Sequence, residues 1–371
     1  MGSQNLRTPG PTPLPPAVRE VQARDMINHR GAEFATILRE CVDGLKWAFQ
    51  TQHDVVILTT SGTGGLEALV ANTLSPGQRL LVASIGNFGE RMGKIARAFG
   101  VEVVQIDVLP GNALDPQLIV DRLRADPSID TVFVTHNETS TGVLNPLREI
   151  AGAVRATRPE ALLLVDGISS VSSVPIEPEA WGCDVVVAGS QKGWMVPPGL
   201  AFVSISPRAW ERQSRSTLPK FYFDWEQARR SAEKGETPWT PAVSLFFALQ
   251  VGLKLMREEG LEHIFERHRR LAQYVREGLA DLEFRLFADP RFASPTVTTA
   301  YVPDGVNAVA LLQALEERHG VVLARGQGSL EGKIFRIGHM GWVQQDELTA
   351  VLRALQVELN STRAPITAAT R

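Results

Sequence analysis

Lys192 lies in Gly189-Ser190-Gln191-Lys192-Gly193, directly after the apolar run Val185 to Ala188, and Asp166 closes another such run, Leu162 to Val165. A strand-to-loop boundary is an odd place for a permanent charge: either the lysine is paired and solvated, or it is used as an amine. Met195-Val196-Pro197-Pro198-Gly199 comes next, an apolar, proline-stiffened loop, and a rigid loop positions an amine in a way a solvated one does not. Asp166 stands beyond the carboxyl end of its strand, where ligands collect in open parallel sheets, although a turn or N-cap aspartate has the same address. A third element is Thr60-Ser61-Gly62-Thr63-Gly64-Gly65, between the run Val55 to Leu58 and a helical stripe. Its glycines let backbone amides approach a ligand, and a helix N-terminus favours an anion, so a phosphate fits there as well as a plain turn does. The dinucleotide fingerprint wants a further glycine where Glu67 stands, which weakens a nucleotide reading.

Amine, carboxylate and anion turn together meet the needs of pyridoxal phosphate: an aldehyde to be held, a ring nitrogen to be kept protonated and a phosphate to be seated. Other side chains are ambiguous on their own. Phe88, in Gly86-Asn87-Phe88-Gly89, has the face to stack on a flat ring or to sit in a core. His136 opens the polar stretch His136-Asn137-Glu138-Thr139-Ser140-Thr141-Gly142 and reads as a structural hydrogen bonder before a catalyst. Arg336, inside the apolar Phe335-Arg336-Ile337-Gly338, needs a partner, either an internal carboxylate or a substrate carboxylate. Asp184 begins its strand rather than ending it and reads as a turn residue. His263 and His268 are five apart and share no helix face, so no metal site is expected. Cys41 and Cys183 are far apart in no ligand spacing, which excludes a disulfide framework and favours a reducing, cytoplasmic setting.

The elements that must position these residues emerge from the pattern of the 371-residue chain. Hydrophobic residues make up 44% and charged ones 21%, enough apolar material for a large core. A net charge of -3 with scattered Lys and Arg gives no nucleic-acid footprint; the basic run at 228–234 reads as solvated surface. No apolar signal core opens the sequence and no run reaches membrane-spanning length. Seven short β-branched runs alternate with helical stripes: Val55 to Leu58, Leu80 to Val82, Val101 to Ile106, Thr131 to Val134, Leu162 to Val165, Val185 to Ala188 and Leu200 to Ile205. Apolar throughout, they predict a mostly parallel seven-stranded α/β sheet covered on both faces. The proline-rich start predicts an extended arm over 1–20, before a large domain over 21–255 and a small α/β domain over 256–371. Arg215 to Thr240 reads as a long polar, aromatic loop, followed by helices over 245–259 and 261–282. The small domain should hold a strand near Phe284, an Asn307-capped helix ending at Gly320, a strand from Lys333 to Ile337 and a last helix, with a loose tail from about Ser361.

In order along nearly the whole chain, these segments resemble the class V aminotransferases of the fold-type-I pyridoxal-phosphate group, the serine–glyoxylate and alanine–glyoxylate enzymes above all. The matching stretches are Gly10-Pro11-Thr12-Pro13, Ser61 to Ala68, His136 to Val143, Val165 to Ser170, Gly189 to Lys192, Pro197-Pro198-Gly199, Thr240 to Leu245 and Phe335 to Gly341. The resemblance implies that Lys192 forms a Schiff base with pyridoxal 5'-phosphate and that Asp166 pairs with its ring nitrogen. It implies that Ser61 belongs to the cofactor site, that Gly62, Thr63 and Gln191 hold the phosphate, that Thr139 bonds the ring hydroxyl and that Phe88 stacks on the ring. Arg336 would then clamp the substrate carboxylate. A homodimer with its site at the interface is implied too, Thr240 reaching the partner's phosphate. The activity implied is transfer of an amino group from serine or alanine to glyoxylate or pyruvate. Phosphonate, phosphoserine and pyridoxamine aminotransferases, a cysteine desulfurase-like lyase and a non-catalytic assembly subunit are the alternatives. A desulfurase needs a mobile nucleophilic cysteine, and neither Cys41 nor Cys183 looks placed for that.

Overall fold

A computed structural model describes residues 4–363. The seven apolar runs form strands Asp54–Thr59, Arg79–Ser84, Glu102–Asp107, Thr131–Thr135, Leu162–Asp166, Val185–Gly189 and Leu200–Ile205. They make one sheet whose spatial order begins at Asp54–Thr59 and continues through Leu200–Ile205, Val185–Gly189, Leu162–Asp166, Thr131–Thr135 and Arg79–Ser84 to Glu102–Asp107. Leu200–Ile205 runs antiparallel to both neighbours, and the other six strands run in one direction. Successive side chains point to opposite faces, and both faces are buried except along the edge strand Glu102–Asp107. Leu163, Val165, Val186 and Ala188 join one core, while Leu162, Leu164, Val185 and Val187 join the other. That is why the runs are apolar at every position rather than at every second one. On one face the helix Gly62–Thr73 presses so closely on the sheet that a Cβ at Gly65 would stand 2.8 Å from Val187 and 3.0 Å from Ala201.

A second sheet has four strands, ordered Asn5–Arg7, Val321–Arg325, Ile334–Gly338 and Val297–Tyr301. Within the extended arm expected over 1–20, Asn5, Leu6 and Arg7 pair in parallel with Val321, Val322 and Leu323. The strand expected near Phe284 is absent. Phe284 packs edge-on against Phe335, Leu286 makes a single bridge to Ala300, and the strand is the β-branched Val297–Tyr301. The helix Ala308–His319 is capped as expected, with Asn307 accepting from Val309 N and Ala310 N and left-handed Gly320 at its end. Ser361 to Arg363, expected in a tail, belong to the helix Gln345–Arg363, and the rest of that expected tail lies outside the described residues.

The segment from Arg215 to Thr240 is not one loop. It contains the helix Trp225–Glu233, capped by Asp224 and buried through Trp225 and Ala228. Part of the basic run lies on that helix, where Arg229 and Arg230 both pair with Glu226. Asp184 does more than turn the chain: it is buried, bonded to Arg155 at 2.5 Å and to Arg208 at 3.2 Å, and it accepts from Leu163 N. Among the described residues no helix is long and apolar enough to cross a membrane.

Candidate active site

Strands running in one direction deliver their C-terminal residues and the loops beyond them to one edge of the sheet. Ser61 comes after Asp54–Thr59, Phe88 after Arg79–Ser84, Thr139 after Thr131–Thr135, Asp166 at the end of its own strand and Lys192 after Val185–Gly189. Lys192 is 8% exposed. Its Nζ donates to Pro9 O at 2.5 Å, while Thr12 N donates to Gln191 O and Thr12 Oγ1 to Lys192 O. The beginning of the chain thus closes over the amine. Gly10 makes this approach feasible: its φ is +127°, and a Cβ there would lie 2.6 Å from Nζ. Burial lowers the Lys192 amine to about 8, aided by Arg336 and Arg91 and opposed by Asp166 and Glu138. At pH 7 roughly a tenth of such an amine is neutral, against well under a thousandth of a free lysine, and only the neutral form attacks a carbonyl.

Asp166 is 4% exposed and accepts from Ile168 N at 2.9 Å. Burial pushes its carboxyl up to about 7, against that hydrogen bond. Glu138 adds to the rise, while Lys192 and Arg91 oppose it. A cationic ring nitrogen set against this group would restore its charge. Arg336 sits mid-strand, opposite Thr299 on one side and Ala324 on the other. Its Nε donates to Arg325 O at 2.8 Å and its Nη1 to Thr139 O at 3.0 Å, while burial lowers it to about 10. Among the described residues no carboxylate pairs with it, so the internal ion-pair reading falls. The guanidinium is oriented by carbonyls and keeps its charge for another partner.

The anion turn and the Lys192 loop are neighbours: a Cβ at Gly189 would lie 3.0 Å from Gln191 Oε1 and 3.6 Å from Gly62 Cα. Gln191 Oε1 is buried without a partner. An amide of this kind is assignable either way round, so that end equally offers an N–H to a phosphate. Buried amine, buried carboxylate, orphaned amide and glycine turn fit pyridoxal phosphate. Phe88 lies in the first turn of the helix Asn87–Ala98 at the same edge, and Thr139 is buried next in sequence to Glu138, which accepts from Phe88 N. Thr240 is not brought to this cluster. It is exposed and borders a small cavity with Thr59, Tyr222 and Trp239. The His136 ring lies edge-on to Trp181 and is held neutral by burial, which pulls it down to about 3.

Two residues of this site escape a reading of the sequence. Glu138 is fully buried and accepts from Phe88 N, Gly89 N, Ser140 N and Ser140 Oγ. Arg91 lies 4.8 Å above the centre of the Phe88 ring and donates to Thr63 Oγ1 at 3.2 Å. The signal for Arg91 was available, since it falls three residues after Phe88 on one helix face. Among the described residues no group of three or more His, Cys, Asp and Glu side chains is placed to hold a metal ion.

The family model for aminotransferase class V matches residues 18–351. A protein named soluble hydrogenase, small subunit, from Synechococcus sp. (strain PCC 6716) is 45% identical over 95% of this chain and 92% of its own. The L-aspartate–glyoxylate aminotransferase of Paracoccus denitrificans (strain Pd 1222) is 36% identical over 92% of this chain and 87% of its own. The crystal structure of alanine–glyoxylate aminotransferase from Nostoc sp. superposes with a TM-score of 0.93 at 29% identity, covering 97% of this chain and 96% of that one. The mostly parallel seven-stranded sheet is that of the fold-type-I pyridoxal-phosphate enzymes, and the chain belongs to the class V aminotransferases.

Proposed function

We propose that this protein is a pyridoxal-phosphate-dependent aminotransferase that moves the amino group of a small amino acid, serine or alanine, to glyoxylate or pyruvate. The observation that carries this reading is the sealed amine of Lys192, lowered to about 8 and within electrostatic reach of buried Asp166 and Arg336. When bound, the cofactor supplies an aldehyde that captures the amino group and a ring that takes up the electron pair left at the α-carbon. Lys192 would hold that aldehyde, Asp166 the ring nitrogen, Thr139 the ring hydroxyl, and Gly62, Thr63 and Gln191 the phosphate, with Ser61 at the head of the turn. Phe88 would cover the ring. Arg336 binds the α-carboxylate as a planar fork and so fixes which face of the α-carbon meets Lys192 Nζ. With the cofactor bound, the Lys192 amine would be the base that holds the α-proton, and an amine lowered to about 8 is suited to that role. Cover by Pro9 and Gly10 keeps water from that amine. Thr240 would serve the phosphate of a second subunit in a cytoplasmic homodimer.

Both cysteines are buried and raised, Cys183 to about 12, which counts against a desulfurase thiolate. A second donor class is favoured by Arg91. Its guanidinium over Phe88 is a receptor for a side-chain carboxylate, and the Paracoccus relative is named for aspartate. The test has two stages. The purified protein should show a visible absorption band that borohydride bleaches, and Lys192→Ala should lack it. Keto-acid formation from serine, alanine and aspartate with glyoxylate or pyruvate then ranks the donors; turnover with none of them sinks the proposal.

A further inference from the structure

We propose that Glu138 is a positioning residue of this site: an ionised carboxylate sealed inside the protein, which anchors the helix carrying Phe88 and supplies the buried negative charge facing the Lys192 and Arg336 cations. The inference rests on the aminotransferase reading and extends it to a residue with no assigned role.

The hydrogen bonds define its ionisation state. Glu138 Oε2 accepts from Phe88 N at 3.0 Å and Gly89 N at 3.3 Å, and Oε1 accepts from Ser140 N at 3.1 Å and Ser140 Oγ at 2.6 Å. Ser140 Oγ in turn accepts from Asn87 N at 3.0 Å, which leaves its proton free to serve Glu138. Burial pushes this carboxyl up and the four bonds oppose it; Phe88 N, Gly89 N and Ser140 N can only donate, so Ser140 Oγ is the one group here that a protonated carboxyl could donate to. Phe88 N and Gly89 N are first-turn amides of the helix Asn87–Ala98, whose N-cap, Gly86, makes no side-chain bond. Glu138 is therefore that helix's cap, delivered from another strand, and the helix's positive end favours the charge. Gly86 has to be glycine here: a Cβ would stand 2.5 Å from Ser140 Oγ and 2.7 Å from Glu138 Cγ. Aspartate is one methylene too short to span the same gap, and glutamine would set an N–H against N–H groups.

The charged groups that face this carboxylate are Asp166, Lys192 and Arg336, with Arg91 acting on the first two. Its negative charge supports the protonated form of the Lys192 nitrogen and of Asp166, and it supports Arg336. Removing that charge must make all three more acidic.

The experiment titrates the visible absorption of the cofactor-loaded protein from pH 5 to pH 10 and tracks hydrogen exchange around Phe88 in the cofactor-free protein. Glu138→Gln should move the absorption midpoint downward by roughly half to one pH unit. Ser140→Ala keeps the charge but loosens the cap; it should leave the midpoint in place while cofactor release quickens several-fold. A wild-type midpoint in Glu138→Gln, or the same shift in Ser140→Ala, overturns the charge assignment. If Glu138→Gln does not fold, Glu138→Asp serves in its place: it should keep the midpoint and lose cofactor several-fold, and wild-type retention overturns the capping role. In the cofactor-free protein the Phe88 and Gly89 amides should exchange about tenfold faster in either variant. Unchanged exchange overturns the inference whether or not the protein binds pyridoxal phosphate. A wild-type protein without a borohydride-sensitive band instead strikes the functional reading alone.

Discussion

Replacing Lys192 by methionine should stabilise the cofactor-free protein at neutral pH while abolishing turnover. The amine is buried and lowered from 10.5 to about 8, chiefly because burial disfavours its charged form. A base whose folded value lies below its unfolded value binds fewer protons folded than unfolded. The penalty is therefore complete below pH 8, shrinks between pH 8 and 10.5, and has gone above that. At about 1.4 kcal/mol per unit, the full penalty is ~3 kcal/mol. Methionine nearly matches the stem in volume and gives up the bond from Nζ to Pro9 O, worth about 1.5 kcal/mol for a charged donor. Asp166, deprived of its neighbouring cation, takes up a proton rather than standing as an unpaired charge, since burial has already raised it to about 7. The net gain at pH 7 is then ~1–2 kcal/mol, and the stability difference should shift by ~2.5 kcal/mol in favour of lysine between pH 7 and pH 10. Urea unfolding of both cofactor-free proteins at the two pH values measures it. Parallel stabilities at both pH values would refute the claim that this lysine is a buried charge held at a cost for its chemistry.

Other substitutions test the remaining parts of the site and its frame. Arg336→Lys should raise the amino-acid KM at least tenfold and leave cofactor affinity within about twofold, because a point charge cannot replace the fork held by Thr139 O and Arg325 O; equal losses of both would mark the residue as structural. Gly10→Ala forces a side chain into the left-handed region and onto Lys192 Nζ, so it should cost ~2 kcal/mol or more in urea unfolding and slow cofactor loading. Asp184→Asn leaves Arg155 and Arg208 facing a neutral amide and should cost about 3 kcal/mol with unchanged cofactor affinity. Loss of cofactor binding at constant stability would show that Asp184 reaches the site after all.

The inner strands were legible because burial on both faces leaves a run apolar at nearly every position; the edge strand Glu102–Asp107, which carries Glu102 and Gln105, shows that signal only in part. Lys192, Asp166, Phe88 and the Ser61 turn were legible for a related reason: strands of one direction gather their C-terminal loops at a single edge. The features that escaped depend on partners far away in the chain. The pairing of Asn5–Arg7 with Val321 to Leu323 is three residues long and joins the two ends of the sequence. Pro9 meets Lys192 across 183 positions through a backbone carbonyl, a group that every residue type carries. Glu138 bonds main-chain amides 49 and 50 positions earlier, so no side-chain type advertises its role. The helix Trp225–Glu233 was hidden by composition, since Trp225, Ala228 and Ala232 are its apolar residues and the other six are charged or polar.

The polar stretch from His136 to Gly142 is anomalous after an apolar strand, and its surroundings explain it. It lies where the two sheets meet, and several of its polar groups answer one from another element. Asn137 Nδ2 donates to Ser169 Oγ of the large sheet's edge and to Thr296 Oγ1 beside the second sheet. Thr139 O holds Arg336 from the second sheet, and Thr141 O accepts from Thr299 Oγ1 of the same sheet. Gly142, at φ +74°, brings the backbone against Thr299, where a Cβ would be 2.6 Å from its hydroxyl. An apolar residue at 137 would remove the buried donor that meets Ser169 Oγ and Thr296 Oγ1, at a cost of about 1–3 kcal/mol. The same bonds fix Arg336 relative to Asp166 and Lys192, which come from the other sheet. The distance between the Arg336 guanidinium and the Lys192 amine is thus set by a joint of buried hydrogen bonds rather than by apolar packing, and directional bonds hold such a distance more tightly than a hydrophobic contact does.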